Sequence, residues 1–310
     1  MAIDLWIPGD TGSDLRALLP GGAAVHEVPM TGELPPRLGH ADILVTDFRW
    51  RRAIEAVPRL DGLRVLQSLS AGVDAIAGRV PPHVTLCDAA GVHDIPVAEW
   101  VIAAILAARH RFPEHVTAQA AGHWLDQGLD LTGGGADLEG ATALILGHGS
   151  IGRAVEERLR PFGVEFLRVA RTARPGVFTV ADLPALVPRA DIVIVLVPLT
   201  AETRGLVGRE FLAAMRRRAL LVNAARGAVV DTGALVAALH ARRITAALDV
   251  TDPEPLPDGH PLWSCPGLFI TPHVAGAVEA LPERAWRLVG HQVGRFLRGE
   301  PLLNVVVDGY

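Results

Sequence analysis

Two series of short apolar runs, each broken by helix-spaced or turn-rich stretches, constrain this chain more than any other feature. In the first hundred residues Ile3–Ile7, Ala23–Val28, Ile43–Thr46, Val65–Leu69 and Thr85–Cys87 read as strands. Between them, Asp14–Leu19 and Arg51–Val57 have helical spacing. Strand–helix alternation of this kind implies a parallel α/β sheet. The second series has strands at Ala143–Leu146, Val164–Val169, Ile192–Val197, Leu220–Asn223, Ala246–Val250 and Leu268–Ile270. Helical spacing there covers Ile151–Arg160 and Ala234–His240, and Pro282–Leu297 closes the chain as a last helix. The run Ile192–Val197 has no polar residue, as expected of a strand covered on both faces. With 310 residues, two domains of ordinary size are expected.

The two series are joined by a different kind of segment. From Val97 to Arg111 nearly every residue is apolar, which predicts a helix buried on several sides. Burial against a second copy of the chain is one way to achieve that. A less regular arm, Pro113–Leu131, follows, and then the glycines Gly133–Gly135.

Composition enters through what it forbids. All 29 basic residues are Arg; the chain contains no Lys. Schiff-base chemistry and phosphate loops of the G-K-[ST] type are therefore excluded. So are sheet enzymes that rely on a catalytic Lys or a Tyr–Lys pair. Acid–base work falls to His, Asp, Glu or Cys. A net charge of −5 gives no footprint for nucleic acid or an anionic membrane. The basic run Arg216–Arg218 reads as a solvated helix end. Two cysteines, Cys87 and Cys265, fit a reducing compartment, and a cytoplasmic location is expected. The N-terminus lacks the basic region of a signal peptide, and no apolar run approaches the ~18 residues of a membrane span. His110, Glu114 and His115 do not have the H-E-x-x-H spacing, so no metal is expected.

The segment A-L-I-L-G-H-G-S-I-G-R-A-V reads strand, glycines, helix. Gly147, Gly149 and Gly152 match G-x-G-x-x-G in the context that a dinucleotide fingerprint requires. His148, Ser150 and Ile151 fill the loop, and the helix N-terminus is expected to face a pyrophosphate. At the end of the next strand an Asp or Glu would bind a free 2′-hydroxyl. The chain has Arg171, Thr172 and Arg174 there and no carboxylate, which favours NADP(H) over NAD(H).

Three further motifs follow strands. L-V-N-A-A-R-G places Arg226, A-L-D-V-T-D-P-E-P places Asp249 and Glu254, and F-I-T-P-H-V-A-G places His273. Ligands of open α/β sheets gather beyond the C-terminal ends of strands. With the S-A-G-V-D loop (Ser70–Asp74), Ala98–Glu99, the glycine fingerprint and V-P-L-T at Val197–Thr200, these motifs make the chain resemble the D-isomer-specific 2-hydroxyacid dehydrogenases. The resemblance runs over nearly the whole length.

It implies two α/β domains with parallel sheets, Rossmann-like or flavodoxin-like. A nucleotide domain, 97–275, would be inserted into a substrate domain, 1–96 and 276–310. It implies Arg226, Glu254 and His273 as the catalytic triad. It implies Val197, Pro198, Thr203, Ala224, Asp249 and His273 on the cofactor, with Ser70, Ala71, Gly72 and Val73 on a substrate carboxylate. A small 2-oxo acid, NADP, and a homodimer complete the expectation. Phe48, in T-D-F-R-W, is expected at the substrate pocket with Trp50, or packed in the core. Glu254 stands where formate-oxidising relatives have Gln, and Ala71 where phosphite-oxidising ones have Lys, so both are disfavoured. Glyoxylate, hydroxypyruvate and bulkier 2-oxo acids stay open. His148 and Thr251 depart from the family pattern. A dinucleotide-sensing scaffold is the alternative, since such relatives keep the triad.

Overall fold

The structure, a computed structural model, describes residues 3–46, 48, 55–125 and 135–307. It divides into two compact units, Met1–His93 with Ala277–Tyr310, and Asp94–Gly276.

The first unit holds β1 (Ile3–Pro8), β2 (Ala23–Val28), β3 (Ile43–Val45), β4 (Val65–Gln67) and β5 (Thr85–Cys87). They pair in parallel in the order β2-β1-β3-β4-β5. Side chains alternate along each strand and serve two cores. Trp6, Leu44, Leu66 and Leu86 enter one; Leu5, Ile7, Ile43, Val45 and Val65 enter the other. The second core is closed by a C-terminal helix, Leu281–Arg298, through Ala285, Trp286, Val289 and Val293. Those positions form one stripe of an amphipathic helix. Gln292 on that helix is fully buried, and its amide is satisfied. Nε2 donates to Gln67 Oε1 and to the Leu303 carbonyl, both at 2.9 Å, and Oε1 accepts from the Leu303 amide at 2.8 Å. The expected helix at Asp14–Leu19 is a single turn, Ser13–Arg16. The one expected over Arg51–Val57, like Trp50, falls largely outside the described residues.

The second unit opens with α1 (Asp94–Arg109) and α2 (Phe112–Ala120). α1 begins before the expected Val97, because Pro96 fits a first turn where no N–H is required. Its buried side chains, Val97, Ala98, Val101, Ala104 and Ile105, form one stripe, not the several faces expected from its composition. Ile95 and Ala103 are exposed. The arm expected to be irregular is α2 in its first part. Pro113 sits in the first turn and Glu114 complements the helix dipole there.

The remaining strands are β6 (Thr142–Leu146), β7 (Glu165–Val169), β8 (Ile192–Val195), β9 (Leu220–Asn223), β10 (Thr245–Leu248) and β11 (Leu268–Ile270). They form one parallel sheet in the order β11-β10-β9-β8-β6-β7. Leu144, Val193 and Leu221 fill one face; Ile145, Ile192, Ile194 and Val222 fill the other, under α1. β6 lies between β7 and β8, so the strand order reverses beside it. A crevice for a ligand opens at such a point. The loop leaving β6 is the glycine fingerprint, and α3 (Ser150–Leu159) follows it.

Candidate active site

Backbone packing dictates the glycine loop. Gly147 has φ +110, and a Cβ there would lie 2.6 Å from the Leu196 carbonyl carbon. A Cβ on Gly152 would come within 2.5 Å of the Gly147 oxygen. At Gly149 a Cβ would meet nothing within 4 Å, so this side of the loop is open. Gly149 is also the N-cap of α3 and supplies no side-chain cap. An open loop leading into an uncapped helix N-terminus fits a pyrophosphate, which needs close backbone and N–H donors. Ser150 and Ile151 form the first turn of that helix.

The rest of the expected cofactor surface surrounds the same strand ends. Arg171 and Thr172 are exposed just past β7, and no carboxylate stands in the turn that continues to Val177. Val197 is buried at the end of the run leaving β8. The Thr203 hydroxyl donates to the Pro198 carbonyl at 2.6 Å and fixes that loop. His148 is placed differently from its neighbours. Its amide donates to the Val169 carbonyl at 2.8 Å, and its ring is buried against Glu156.

The three motifs after β9, β10 and β11 converge within this unit. Asn223, buried at the end of β9, holds the next loop from both sides. Its Oδ1 accepts from the Ala225 amide at 3.1 Å and its Nδ2 donates to the Arg226 carbonyl at 3.0 Å. That positions Ala224 and half-buried Arg226. Asp249, 3% exposed, anchors the third loop. Its carboxylate accepts from the Thr271 hydroxyl at 2.6 Å and from the amides of Val274 and Ala275, both at 2.9 Å. Its carbonyl takes the His273 amide at 2.7 Å. His273 is thereby held at φ +55, an uncommon conformation for a side-chain-bearing residue.

His273 Nδ1 lies 2.6 Å from Glu254 Oε1. The two side chains remain 47% and 40% exposed, so a substrate can reach them. The carboxylate hydrogen bond pushes the His273 pKa above its ordinary value, against partial burial. The same bond, more than any other contact, holds Glu254 below the ordinary carboxylate range. The charge of Arg226 acts on both groups and disfavours the protonated form of each. The result is a histidine whose protonated form is favoured, paired with a carboxylate beside a guanidinium. Such a group can give up a proton at one point and bind an anion at another.

Sequence reasoning named Arg226, Glu254 and His273. It did not find the supports, Asn223 and Thr271, or the partners of His148. Thr251 uses its hydroxyl to donate to the Pro253 carbonyl at 2.8 Å, which shapes the turn that carries Glu254.

The remaining expected residues lie in the first unit. Ser70 is tied to Ser68, whose hydroxyl accepts from the Ser70 amide at 3.0 Å. The Val73 side chain is fully buried, while Ala71 and Gly72 are half-buried. Phe48 is 37% exposed in a turn and is not a core residue.

A sheet crevice carrying an open glycine loop and an exposed His–Glu pair defines a dinucleotide-dependent oxidoreductase. Comparison with known proteins gives the particular family. Residues 102–275 match the model for the D-isomer specific 2-hydroxyacid dehydrogenase, NAD binding domain. A glyoxylate reductase of Thermofilum pendens is 36% identical over 83% of this chain and 78% of its own length. A D-3-phosphoglycerate dehydrogenase of Methanocaldococcus jannaschii is 32% identical over 88% of this chain; the match spans 53%, about half, of that longer enzyme. The solved D-isomer specific 2-hydroxyacid dehydrogenase of Xanthobacter autotrophicus Py2, in complex with NADPH, superposes with a TM-score of 0.84. It is 29% identical and covers 100% of this chain and 99% of that one. The chain belongs to the D-isomer specific 2-hydroxyacid dehydrogenase family and is an NAD(P)-dependent oxidoreductase of that kind. The scaffold reading finds no support among these relatives. Among the described residues, no helix is long and apolar enough to cross a membrane.

Proposed function

We propose that the chain reduces a small 2-oxo acid, glyoxylate, hydroxypyruvate or a bulkier analogue, with preference for NADP(H). The observation that carries this is the His273–Glu254 contact at 2.6 Å, beside Arg226 and in the same unit as the open glycine loop. When bound, the dinucleotide supplies or accepts a hydride. The chain's own residues do the rest. With Nδ1 engaged by Glu254, His273 offers Nε2–H to the substrate oxygen. In the opposite direction the same nitrogen accepts the hydroxyl proton. Arg226 pairs the carboxylate and polarises the ketone. In the first unit, backbone N–H groups of the Ser70–Val73 loop are assigned to a carboxylate, and exposed Phe48 to the substrate. Asp249 uses three acceptor sites within its own chain, which leaves one for a carboxamide beside Ala224.

Arg171 and Thr172 stand in a turn whose sequence from Ala170 to Val177 has no Asp or Glu to bind a free 2′-hydroxyl, which supports a 2′-phosphate and thus NADP. The first unit is assigned to substrate and the second to dinucleotide. α1 and α2 are proposed as a homodimer contact, because Phe112 and Val116 are 55% and 61% exposed. The two buried thiols are consistent with a cytoplasmic protein. An NADPH-oxidation assay against a panel of 2-oxo acids tests the activity. No turnover with any acid, alongside tight dinucleotide binding, would overturn it. A higher kcat/KM with NADH would overturn the cofactor preference, and a monomer at micromolar concentration would overturn the dimer.

A further inference from the structure

Outside the Arg226–Glu254–His273 group, a cleft of about 500 Å³ opens beside the glycine loop. Glu156 of α3 is among the residues that line it. The carboxylate accepts from Arg168 Nε at 2.6 Å and Nη2 at 2.8 Å, and from Arg160 Nη2 at 2.5 Å. Its Oε2 also meets His148 Nε2 at 2.8 Å. The other ring nitrogen, Nδ1, faces Arg174 Nη2 at 3.3 Å. That same Nη2 donates to the His148 carbonyl at 2.8 Å. Arg174 opens a tight turn closed by two backbone bonds to Val177, of 3.3 and 2.8 Å.

One protonation state satisfies both ring contacts. A guanidinium only donates, so Nδ1 must accept. Nε2 then carries the hydrogen and donates to Glu156. A proton on Nδ1 would set an N–H against an N–H and one cation against another. The charges around the ring give no room for it. From α3 come Arg153, Glu156 and Glu157, and from the turn just after it Arg160; from β7 comes Arg168; from the turn beyond β7 comes Arg174. Glu156 is already shared between two guanidiniums.

The ring joins two loops with separate tasks. The glycine loop is the pyrophosphate seat. The turn after β7 carries Arg171, three residues before Arg174, at the ribose end. We propose that neutral His148 is a positioning residue for the dinucleotide. By accepting from Arg174 and donating to Glu156 it fixes the glycine loop against that turn, and its protonation loosens cofactor binding. This role rests on the dinucleotide reading above.

Burial holds His148 below the ordinary histidine pKa, with Arg168 and Arg174 adding to the effect against Glu156. The neutral form therefore dominates at neutral pH, and binding weakens only as pH falls below the ordinary histidine range. The test is calorimetric titration with NADP⁺ at about pH 8 and about pH 5.5, on wild type and His148→Gln. A glutamine amide can donate to Glu156 and accept from Arg174 without titrating. The 2′-phosphate of the ligand titrates equally in both proteins and cancels. Wild type should lose severalfold more affinity on acidification than His148→Gln, and less than about tenfold, because a histidine held below its ordinary value is only partly protonated at the lower pH. His148→Leu should bind weakly at both pH values, and His148→Gln should restore binding at the higher one.

Equal pH dependence in wild type and His148→Gln would overturn the role while leaving the dinucleotide reading intact. No NADP⁺ binding by wild type at the higher pH would sink that reading and this role together. Nitrogen-15 NMR of the unmodified protein gives a check that needs no variant. The Nε2–H tautomer of His148 is expected, and an Nδ1–H tautomer would overturn the proposal.

Discussion

His273 and His148 each face a glutamate in the same unit, at 2.6 Å and 2.8 Å. Their pKa values nevertheless move in opposite directions. His273 is pushed up, first by its bond to Glu254. His148 is pushed down, first by burial. The side chains of the first pair are 47% and 40% exposed; those of the second are 9% and 9%. Exposure is only part of the difference. Glu254 meets no Arg at hydrogen-bond distance among the described residues, so its charge acts mainly on the imidazole. Glu156 is already bound to Arg168 and Arg160. Glu156 still pulls His148 upward, and burial together with the charges of Arg168 and Arg174 outweighs it. One pair is therefore suited to moving a proton, and the other to holding a neutral ring in place.

The largest expected effect separates the two pairs at once. His273→Ala should lower kcat by about 10²–10⁴, the usual worth of a general acid. Steady-state assays of 2-oxo acid reduction measure it directly. Near-normal turnover would remove His273 from the chemistry and dissolve the contrast.

Glu254→Gln probes the cause of the upward shift. Reduction needs the protonated imidazole, so kcat/KM is full below the raised His273 pKa and is lost as pH rises through it. Gln keeps a hydrogen bond and removes the charge. The falling limb of the reduction profile should move to lower pH, with a loss of rate on its alkaline side. A limb that stays in place would mean that Glu254 orients the ring without charging it.

The two pairs also differ in how far the sequence exposed them. Arg226, Glu254 and His273 follow strands inside recognisable motifs, so order along the chain was enough to bring them together. The strands were legible because burial on both faces leaves runs such as Ile192–Val195 without a polar residue. α2 was harder to see: none of its residues is buried, so packing left no apolar stripe to read. The Glu156 network was missed for another reason. Gly152, Val155, Glu156 and Leu159 share the buried stripe of α3, and a charge in such a stripe signals a hidden partner. Its partner Arg168 lies on β7, an edge strand where a single Arg looks like an ordinary solvated residue. Only the fold sets the two opposite each other.

The smallest expected effect lies in stability and not in turnover. Glu156→Gln leaves Arg168 without its counter-charge on a largely buried face. Unfolding in urea at neutral pH should show a loss of about 2 kcal/mol, in the range for a hydrogen bond to a charged group. Its pH dependence has a fixed sign. Hydrogen bonding from Arg168 above all holds the Glu156 pKa at about 2, below its ordinary 4.5. The folded state thus prefers the ionised form. Its contribution is complete above the ordinary value and is lost as pH falls from there through the folded one. The gap between wild type and Glu156→Gln should therefore shrink as pH falls from 4.5 towards about 2. Glu254, 40% exposed, should show a much smaller gap in the same experiment. Equal gaps for the two glutamates would mean that burial and the arginines around Glu156 do not set it apart, and the comparison would fail at its root.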